Sequence, residues 1–156
     1  MKQILDACCG GKMAWFKDAR TNPHTIYGDI RHGSYPLCDG RVFAVEPDIQ
    51  LDFRSLPFPD ESFSLVFFDP PHLTRAGKTS WLAGKYGVLN KGWEEDLKQG
   101  FSECWRVLRP NGTLIFKWSE AEIPLKRITP LFPHRPVFGH TTTKNLRTHW
   151  IVFFKG

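Results

Sequence analysis

The chain lacks a hydrophobic run long enough to cross a lipid bilayer. Its least polar run, Phe63 to Phe68, is only as long as a strand and contains a serine, whereas a membrane-spanning helix needs about 20 apolar residues. Met1 is followed directly by Lys2 and Gln3, which leaves no space for the apolar segment of a signal peptide. We therefore expect a soluble, cytoplasmic protein with no membrane partner.

Cysteine is scarce and is not spaced for metal binding. The chain has four cysteines without the CxxC pairs of a zinc site, namely Cys8, Cys9, Cys38 and Cys104. Three late histidines also lack the spacing of metal ligands on a helix, namely His134, His140 and His149. We therefore predict no bound metal, and we expect the cysteines to be small apolar side chains in a reducing compartment.

The 156 residues of the chain are typical of one domain. A domain of this size buries roughly 70% of the surface that its unfolded chain exposes, so it needs no disulfide or metal for stability. Lysine and arginine outnumber aspartate and glutamate by 21 to 16, and this excess favours acidic partners without identifying one. We expect residues 1–156 to form a single domain, without a separate domain for recognising a target.

Strand-sized apolar runs alternate with helix-like stretches, a pattern typical of an α/β fold with a mostly parallel twisted sheet and helices on both faces. We predict strands over residues 3–6, 25–27, 42–45, 49–53, 64–68 and 113–118. Helices are expected over 12–20 and 94–108, and loops over 31–41 and 73–92. Two late apolar runs separated by a polar turn predict a C-terminal antiparallel hairpin, over 137–139 and 150–154.

The first predicted strand runs directly into the small-residue segment Asp6 to Gly11. A turn of this kind lets a ligand approach the backbone closely, and its N–H groups favour polar or anionic atoms. The segment is not a phosphate-binding P-loop, because Lys12 is followed by Met13. A tight packing turn explains the segment equally well when it is taken alone.

Asp29 ends the second predicted strand, about 20 residues after this loop. In nucleotide-binding sheets a carboxylate at this place accepts hydrogen bonds from the ribose hydroxyls, and each charge-assisted bond contributes roughly 1.5 to 3 kcal/mol. A solvated turn residue is the alternative for Asp29 alone. The nucleotide interpretation depends on its combination with the loop.

Asp69, Pro70, Pro71 and His72 follow the most apolar predicted strand. Consecutive prolines fix the backbone and remove N–H donors, so carbonyl oxygens and the Asp69 carboxylate form a fixed set of acceptors. Such acceptors can hold the hydrogens of an exocyclic amine and expose its nitrogen lone pair. Methyl transfer from a sulfonium then requires mainly alignment. A Pro-Pro turn that only closes a strand is the structural alternative.

Taken together, these motifs resemble the class I, Rossmann-like methyltransferases that use S-adenosylmethionine, and residues 69–72 are similar to the Asp/Asn-Pro-Pro-aromatic motif of base amino-methyltransferases. The resemblance covers nearly the whole chain. It implies a cofactor site formed by Asp6, Cys8, Gly10, Gly11, Asp29, Asp52 and Phe53, and catalytic roles for Asp69, Pro70, Pro71 and His72. The chain departs from the pattern where many members have glycine, at Cys8 and Lys12, and where they have an aromatic residue, at His72.

Residues 73–92 follow the motif and contain four basic residues and no acidic ones. Basic side chains here can hold phosphates while aromatic rings stack a displaced base. In this segment we predict substrate contacts from Arg75, Lys78 and Trp81. At the end of the late predicted strand, Lys117 and Trp118 are also predicted to contact the substrate, as part of the acceptor pocket. A solvated loop is the alternative for this segment.

The leading hypothesis is methyl transfer to an exocyclic amino nitrogen of a DNA or RNA base, with adenine N6 favoured. Two alternatives stay open: a small molecule or a protein amide as the acceptor, or a non-catalytic subunit that binds the cofactor or nucleic acid. A nucleotide-fold oxidoreductase is disfavoured, because the loop lacks the GxGxxG spacing and the Pro-Pro motif has no purpose in hydride transfer.

Overall fold

A computed structural model describes residues 1–75, 77, 81–140 and 146–156 of the chain. The strands are β1 (Ile4–Asp6), β2 (Thr25–Asp29), β3 (Gly33–Pro36), β4 (Val42–Val45), β5 (Ile49–Gln50), β6 (Phe63–Phe68), β7 (Leu108–Ser119), β8 (Phe138–Gly139) and β9 (Thr148–Lys155). The helices are α1 (Trp81–Tyr86), α2 (Trp93–Val107) and α3 (Leu125–Ile128), with 3₁₀ helices at Lys17–Ala19 and Thr129–Leu131. No helix within these ranges combines the length and the apolar character that crossing a bilayer requires.

Seven strands form one mixed sheet in the order β5-β2-β1-β6-β7-β9-β8. The first five in this order run parallel, and β9 lies antiparallel between β7 and β8. The predicted C-terminal hairpin is confirmed, since Phe138 pairs with Val152 and Gly139 with Ile151. The predicted α/β, Rossmann-like architecture is confirmed as well. In the loop predicted over 31–41, however, β3 begins a separate antiparallel ribbon with β4.

One face of the sheet forms the main core against α2. The buried side chains of α2 recur at helical spacing, at Leu97, Phe101, Cys104 and Val107, as expected for a helix that packs one stripe onto a sheet. The ring of Phe101 stacks on Phe132 at 4.1 Å between centroids and meets Phe153 of β9 edge-on at 4.9 Å. The helix predicted over 94–108 is therefore confirmed, because its apolar period specifies this packing.

The helix predicted over residues 12–20 is wrong, since only Lys17–Ala19 forms a 3₁₀ helix there. Lys12 has a φ of 55°, which starts the segment outside helical geometry. The indole of Trp15 donates to Asp6 at 2.6 Å, and the hydroxyl of Tyr27 donates to the Ala19 carbonyl at 2.6 Å. These tertiary bonds tie the segment to β1 and β2 on the second face of the sheet and override its helical propensity.

The loop predicted over 73–92 contains the short helix α1. This helix packs on β3, because a Cβ at Gly84 would lie 3.4 Å from Cβ of Tyr35. The ribbon that supports α1 was itself not predicted. Because α1 depends on this packing against β3, the pattern of residues 73–92 alone did not indicate a helix.

Gly100 offers a test of how closely α2 packs on the sheet. A Cβ at this position would collide with the Phe53 ring and lie 2.9 Å from Cζ of Phe68. Gly100→Ala should lower the free energy of unfolding by about 1 to 3 kcal/mol through overpacking, although alanine gains about 1 kcal/mol in helix propensity. Urea unfolding measures the change.

Ser102→Ala serves as the matched control, because Ser102 is exposed on the same helix. This variant should be as stable as the natural chain or slightly more stable. A Gly100→Ala variant that unfolds at the same or a higher urea concentration would contradict the close packing.

Candidate active site

A pocket of about 270 Å³ opens where β1, β2 and β6 end. Loops that follow parallel strands meet at the same edge of a sheet, which is where ligands bind in open α/β folds. Many of the predicted site residues line this pocket, namely Cys8, Gly10, Gly11, Asp29, Phe53, Asp69, Pro70, Pro71, His72 and Lys117. Within the described ranges, no three His, Cys, Asp or Glu residues are grouped so that they could hold a metal ion.

The loop after β1 is held in a shape that requires glycine. Gly10 has a φ of 48°, in the left-handed region that residues with a Cβ rarely adopt. A Cβ at Gly11 would collide with the ring of Phe43 in β4. The backbone N–H of Cys9 donates to the Gly28 carbonyl at 2.7 Å, which fixes the loop against β2. The loop therefore presents bare backbone to the pocket.

Asp29 connects this loop to α1 through Arg31. One carboxylate oxygen of Asp29 accepts the N–H of Gly10 at 2.8 Å. The other accepts the backbone N–H of Arg31 at 2.9 Å and its Nε at 3.2 Å. Nη1 of Arg31 donates to the Gly84 carbonyl at 2.8 Å. Asp29 is only 4% exposed, so its charge is satisfied mainly by these contacts.

Asp6 does not line the pocket. Its carboxyl is buried, with Oδ2 receiving the indole N–H of Trp15 at 2.6 Å and Oδ1 receiving the N–H of Cys8 at 3.2 Å. Burial raises the pKa of Asp6 to about 7, against the lowering effect of the Trp15 bond. Asp6 therefore stabilises the loop after β1 through its hydrogen bonds, without facing the pocket.

Of the adjacent pair Asp52 and Phe53, the structure brings only Phe53 to the pocket. Its ring packs edge-on against Phe68 with centroids 5.3 Å apart. The Asp52 carboxylate is instead bound to Arg54, with Nη2 and Oδ2 at 2.7 Å, and this contact lowers the pKa of Asp52. Arg54 also pairs with Asp96 of α2 at 3.2 Å. The carboxylate of Asp52 is thus used to anchor α2.

At the opposite end of the pocket, Asp69 forms an ion pair with Lys117 of β7. Nζ of Lys117 lies 2.8 Å from Oδ2 of Asp69. Burial raises the pKa of Asp69, and the Lys117 charge partly offsets this effect. The neighbouring Pro70 and Pro71 contribute carbonyl oxygens but no N–H. This corner, Asp69 to His72, is therefore rich in hydrogen-bond acceptors.

His72 lies between two aromatic rings. Its ring centroid is 5.5 Å from that of Tyr86 in α1 and 6.3 Å from that of Trp118 in β7. Burial lowers the pKa of His72, and the nearby charge of Lys117 lowers it further. Both effects therefore favour the neutral form of His72.

The other predicted substrate residues are placed differently. Trp118 is buried in the core, donates its Nε1–H to the Ile123 carbonyl at 2.9 Å, and does not line the pocket. Arg75 is exposed outside the pocket lining, with its backbone N–H on Glu122 at 3.2 Å. Lys78 and the side chain of Trp81 lie outside the described residues.

Arg31 is a charged pocket residue that the sequence analysis did not identify, whereas Lys85 and Tyr86, which also line the pocket, belong to the basic and aromatic segment 73–92. The only local signal for Arg31 was its place two residues after Asp29, where an Asx-type turn brings its N–H back to the carboxylate. Its bond to Gly84 spans 53 positions and has no counterpart in the local pattern.

No protein-family model matches the sequence, and no curated protein is significantly similar to it. Solved structures do share its fold. A protein of Pyrococcus horikoshii superposes with a TM-score of 0.57 at 16% identity, over 99% of this chain and 82% of that one. A Methanosarcina mazei protein, described as an S-adenosylmethionine-dependent methyltransferase, gives 0.56 at 12% identity over 98% and 92%.

A third structure, from Leishmania major, is also described as a methyltransferase dependent on S-adenosylmethionine. It gives a TM-score of 0.53 at 15% identity, over 98% of this chain and 65% of that protein. The chain therefore has the fold of these methyltransferases. At such low identity the likeness concerns the fold alone, so ligand and substrate have to be argued from the residues of this pocket.

The buried Asp6 carboxyl should make the stability of the fold depend on pH. Its pKa is about 7 in the folded chain against an ordinary 3.8, so between these values the folded chain keeps a proton that the unfolded chain has released. The free energy of unfolding should therefore fall as the pH rises from 4 to 7, by at most about 1.4 kcal/mol per pH unit from one group.

Urea unfolding between pH 4.5 and 8 measures this slope. Asp6→Asn should flatten it, because asparagine does not titrate. Asp18→Asn is the control, since Asp18 is exposed, and it should keep the slope of the natural chain. Parallel profiles for the natural chain and Asp6→Asn would show that Asp6 is not the group responsible.

Proposed function

We propose that this chain binds S-adenosylmethionine in the pocket and transfers its methyl group to an exocyclic amino nitrogen of a nucleic-acid base, with adenine N6 favoured. The observation that carries the proposal is that the loop after β1, Asp29 and the corner Asp69 to His72 line one pocket. Methyl transfer is an in-line displacement, which requires the cofactor and the acceptor to be held side by side.

The residues at the loop end of the pocket fit this cofactor. Gly10 and Gly11 line the pocket without a side chain of their own, and the Asp29 carboxylate is suited to accept ribose hydroxyls. The Phe53 ring provides an apolar wall for an adenine, and the Arg31 guanidinium suits a carboxylate. When bound, the cofactor supplies an electrophilic methyl group on a sulfonium.

The corner residues would hold the amine that accepts the methyl group. The Asp69 carboxylate and the Pro70 carbonyl accept its two hydrogens, which exposes the lone pair on nitrogen. As the N–C bond forms, the C–S bond breaks, and one of the amine protons must leave. His72, which lines the pocket, would stack on the acceptor or take that proton.

Charge favours a nucleic acid as the carrier of the acceptor amine. The chain has a net charge of +5, and Arg31 and Lys85 line the pocket itself. Phosphates are held by such cations, and a displaced base can stack on rings such as those of Tyr86 and His72. Methyl transfer only to small molecules or protein amides would contradict this proposal. Binding without any transfer would contradict it as well.

Binding of the cofactor is tested by calorimetry. Asp29→Asn should bind S-adenosylmethionine about tenfold more weakly than the natural chain, because a charge-assisted hydrogen bond becomes a neutral one. Asp18→Asn is the matched control, since Asp18 is exposed on the 3₁₀ helix. Unchanged affinity in Asp29→Asn would remove this residue from the cofactor site, and no binding to the natural chain would overturn the proposal.

Transfer is tested with labelled S-adenosylmethionine and separate pools of DNA, RNA, protein and small metabolites. Label should enter a nucleic-acid pool, and Asp69→Ala should lower its rate by at least about 100-fold, as expected for a group that acts in the transition state. Asp18→Ala should transfer normally. Label only in protein or metabolites would support those acceptors, and binding without any transfer would support a non-catalytic subunit.

A further inference from the structure

We infer that Lys117 selects the acceptor: together with Asp69 it recognises a neutral N–H group that has a lone-pair atom beside it. Adenine N6 with N1, cytosine N4 with N3, and a carboxamide all present this pair of atoms. The inference rests on the proposed function, and it assigns to Lys117 a role in specificity that the acceptor corner alone does not supply.

The hydrogen bonds of the ion pair leave one acceptor and two donors available. Lys117 uses one of its three hydrogens on Oδ2 of Asp69, at 2.8 Å. Oδ1 of Asp69 receives no hydrogen bond from any residue that the structure describes. Both residues line the pocket, and their side chains are 23% and 27% exposed. The pair therefore offers a carboxylate oxygen and ammonium hydrogens side by side.

Other groups at the corner do not match Lys117 as a donor. Pro70 and Pro71 have no N–H, and His72 in its neutral form has one, on a ring packed near Tyr86 and Trp118. Arg31 is anchored to Asp29 and to the Gly84 carbonyl, at the loop end of the pocket. A lone-pair atom next to the acceptor amine would therefore meet a hydrogen from Lys117.

The strands fix where this donor lies. Lys117 pairs with Trp150 of β9 in the antiparallel ladder, and its Nζ lies 5.8 Å from the centre of that ring. Trp150 in turn stacks on Phe67, with centroids 5.3 Å apart and planes within 6°. Residues carried on strands hold positions more exactly than residues on loops, so Lys117 can distinguish neighbouring atoms of an acceptor.

The positive charge of Lys117 also acts against one class of acceptor. An aliphatic amine is protonated near neutral pH, and its charge would be repelled by the ammonium beside Asp69. A conjugated amine or a carboxamide is neutral and avoids this repulsion. The pair therefore favours acceptors whose nitrogen is already deprotonated.

The experiment compares nucleosides with analogues that lack the lone-pair atom. Adenosine and 1-deazaadenosine, and cytidine and 3-deazacytidine, are titrated by NMR into the natural chain saturated with S-adenosylhomocysteine. The natural chain should bind each parent nucleoside about tenfold more tightly than its deaza analogue, as expected for a hydrogen bond to a charged group. Lys117→Met should bind parent and analogue equally.

Two further variants keep the comparison decisive. Lys98→Met removes an exposed lysine of α2 and should keep the tenfold preference. The double variant Asp69→Asn with Lys117→Met removes both charges of this pair, so neither is left without its partner. It replaces the single variant if that one unfolds, and it should also lose the preference. Equal binding of parent and analogue by the natural chain, a preference that survives in Lys117→Met, or no binding of any nucleoside would overturn the inference.

These outcomes are separate from those of the transfer assay. A natural chain that transfers methyl groups but binds parent and deaza nucleosides equally would contradict the role of Lys117 alone. If the chain shows the Lys117-dependent preference but methylates no pool, the proposed function is wrong. The recognition by Lys117 would still hold in that case.

Discussion

The organisation of the pocket depends on the buried carboxylate of Asp29. It joins three segments that are far apart in the chain, because it receives the N–H of Gly10 from the loop after β1 and binds Arg31, which reaches α1 through Gly84. A carboxylate that is 4% exposed is stable only when such partners replace water. The same bonds that satisfy its charge therefore hold the loop and α1 around the pocket.

Three buried or partly buried carboxyl groups lie at this edge of the sheet, and their charges are compensated in different ways. Asp29 is paired with Arg31 and Asp69 with Lys117, while Asp6 has no cationic partner among its hydrogen-bond donors. Burial, and then repulsion from Asp69 and Asp29, raises the pKa of Asp6 to about 7. When Asp6 keeps its proton, it adds no further negative charge beside the two ion pairs.

The sequence was sufficient where structure follows from local pattern. α2, the terminal hairpin and most strands were predicted from apolar spacing, but β3 was not, and the strand predicted over 49–53 is only Ile49–Gln50. The loop, Asp29 and the Pro-Pro corner were identified by their places after strands. Contacts across the chain were not predictable: the Lys117 and Asp69 pair spans 48 positions, and residues 12–20 are shaped by Trp15 and Ala19 bonding to β1 and β2. Such bonds depend on a sheet that is already assembled.

The two ends of the pocket are supported by different means. The loop end is held by hydrogen bonds among turns, with glycine at the closest approaches, and such backbone suits a ligand whose shape stays constant, such as a cofactor. The corner end is supported by Lys117 of β7 and by the stack of Phe67 on Trp150, which lie on the strands to either side, β6 and β9. Side chains on strands can be exchanged without moving the backbone, so under the proposed function the acceptor end can change at these positions while the loop end keeps its shape.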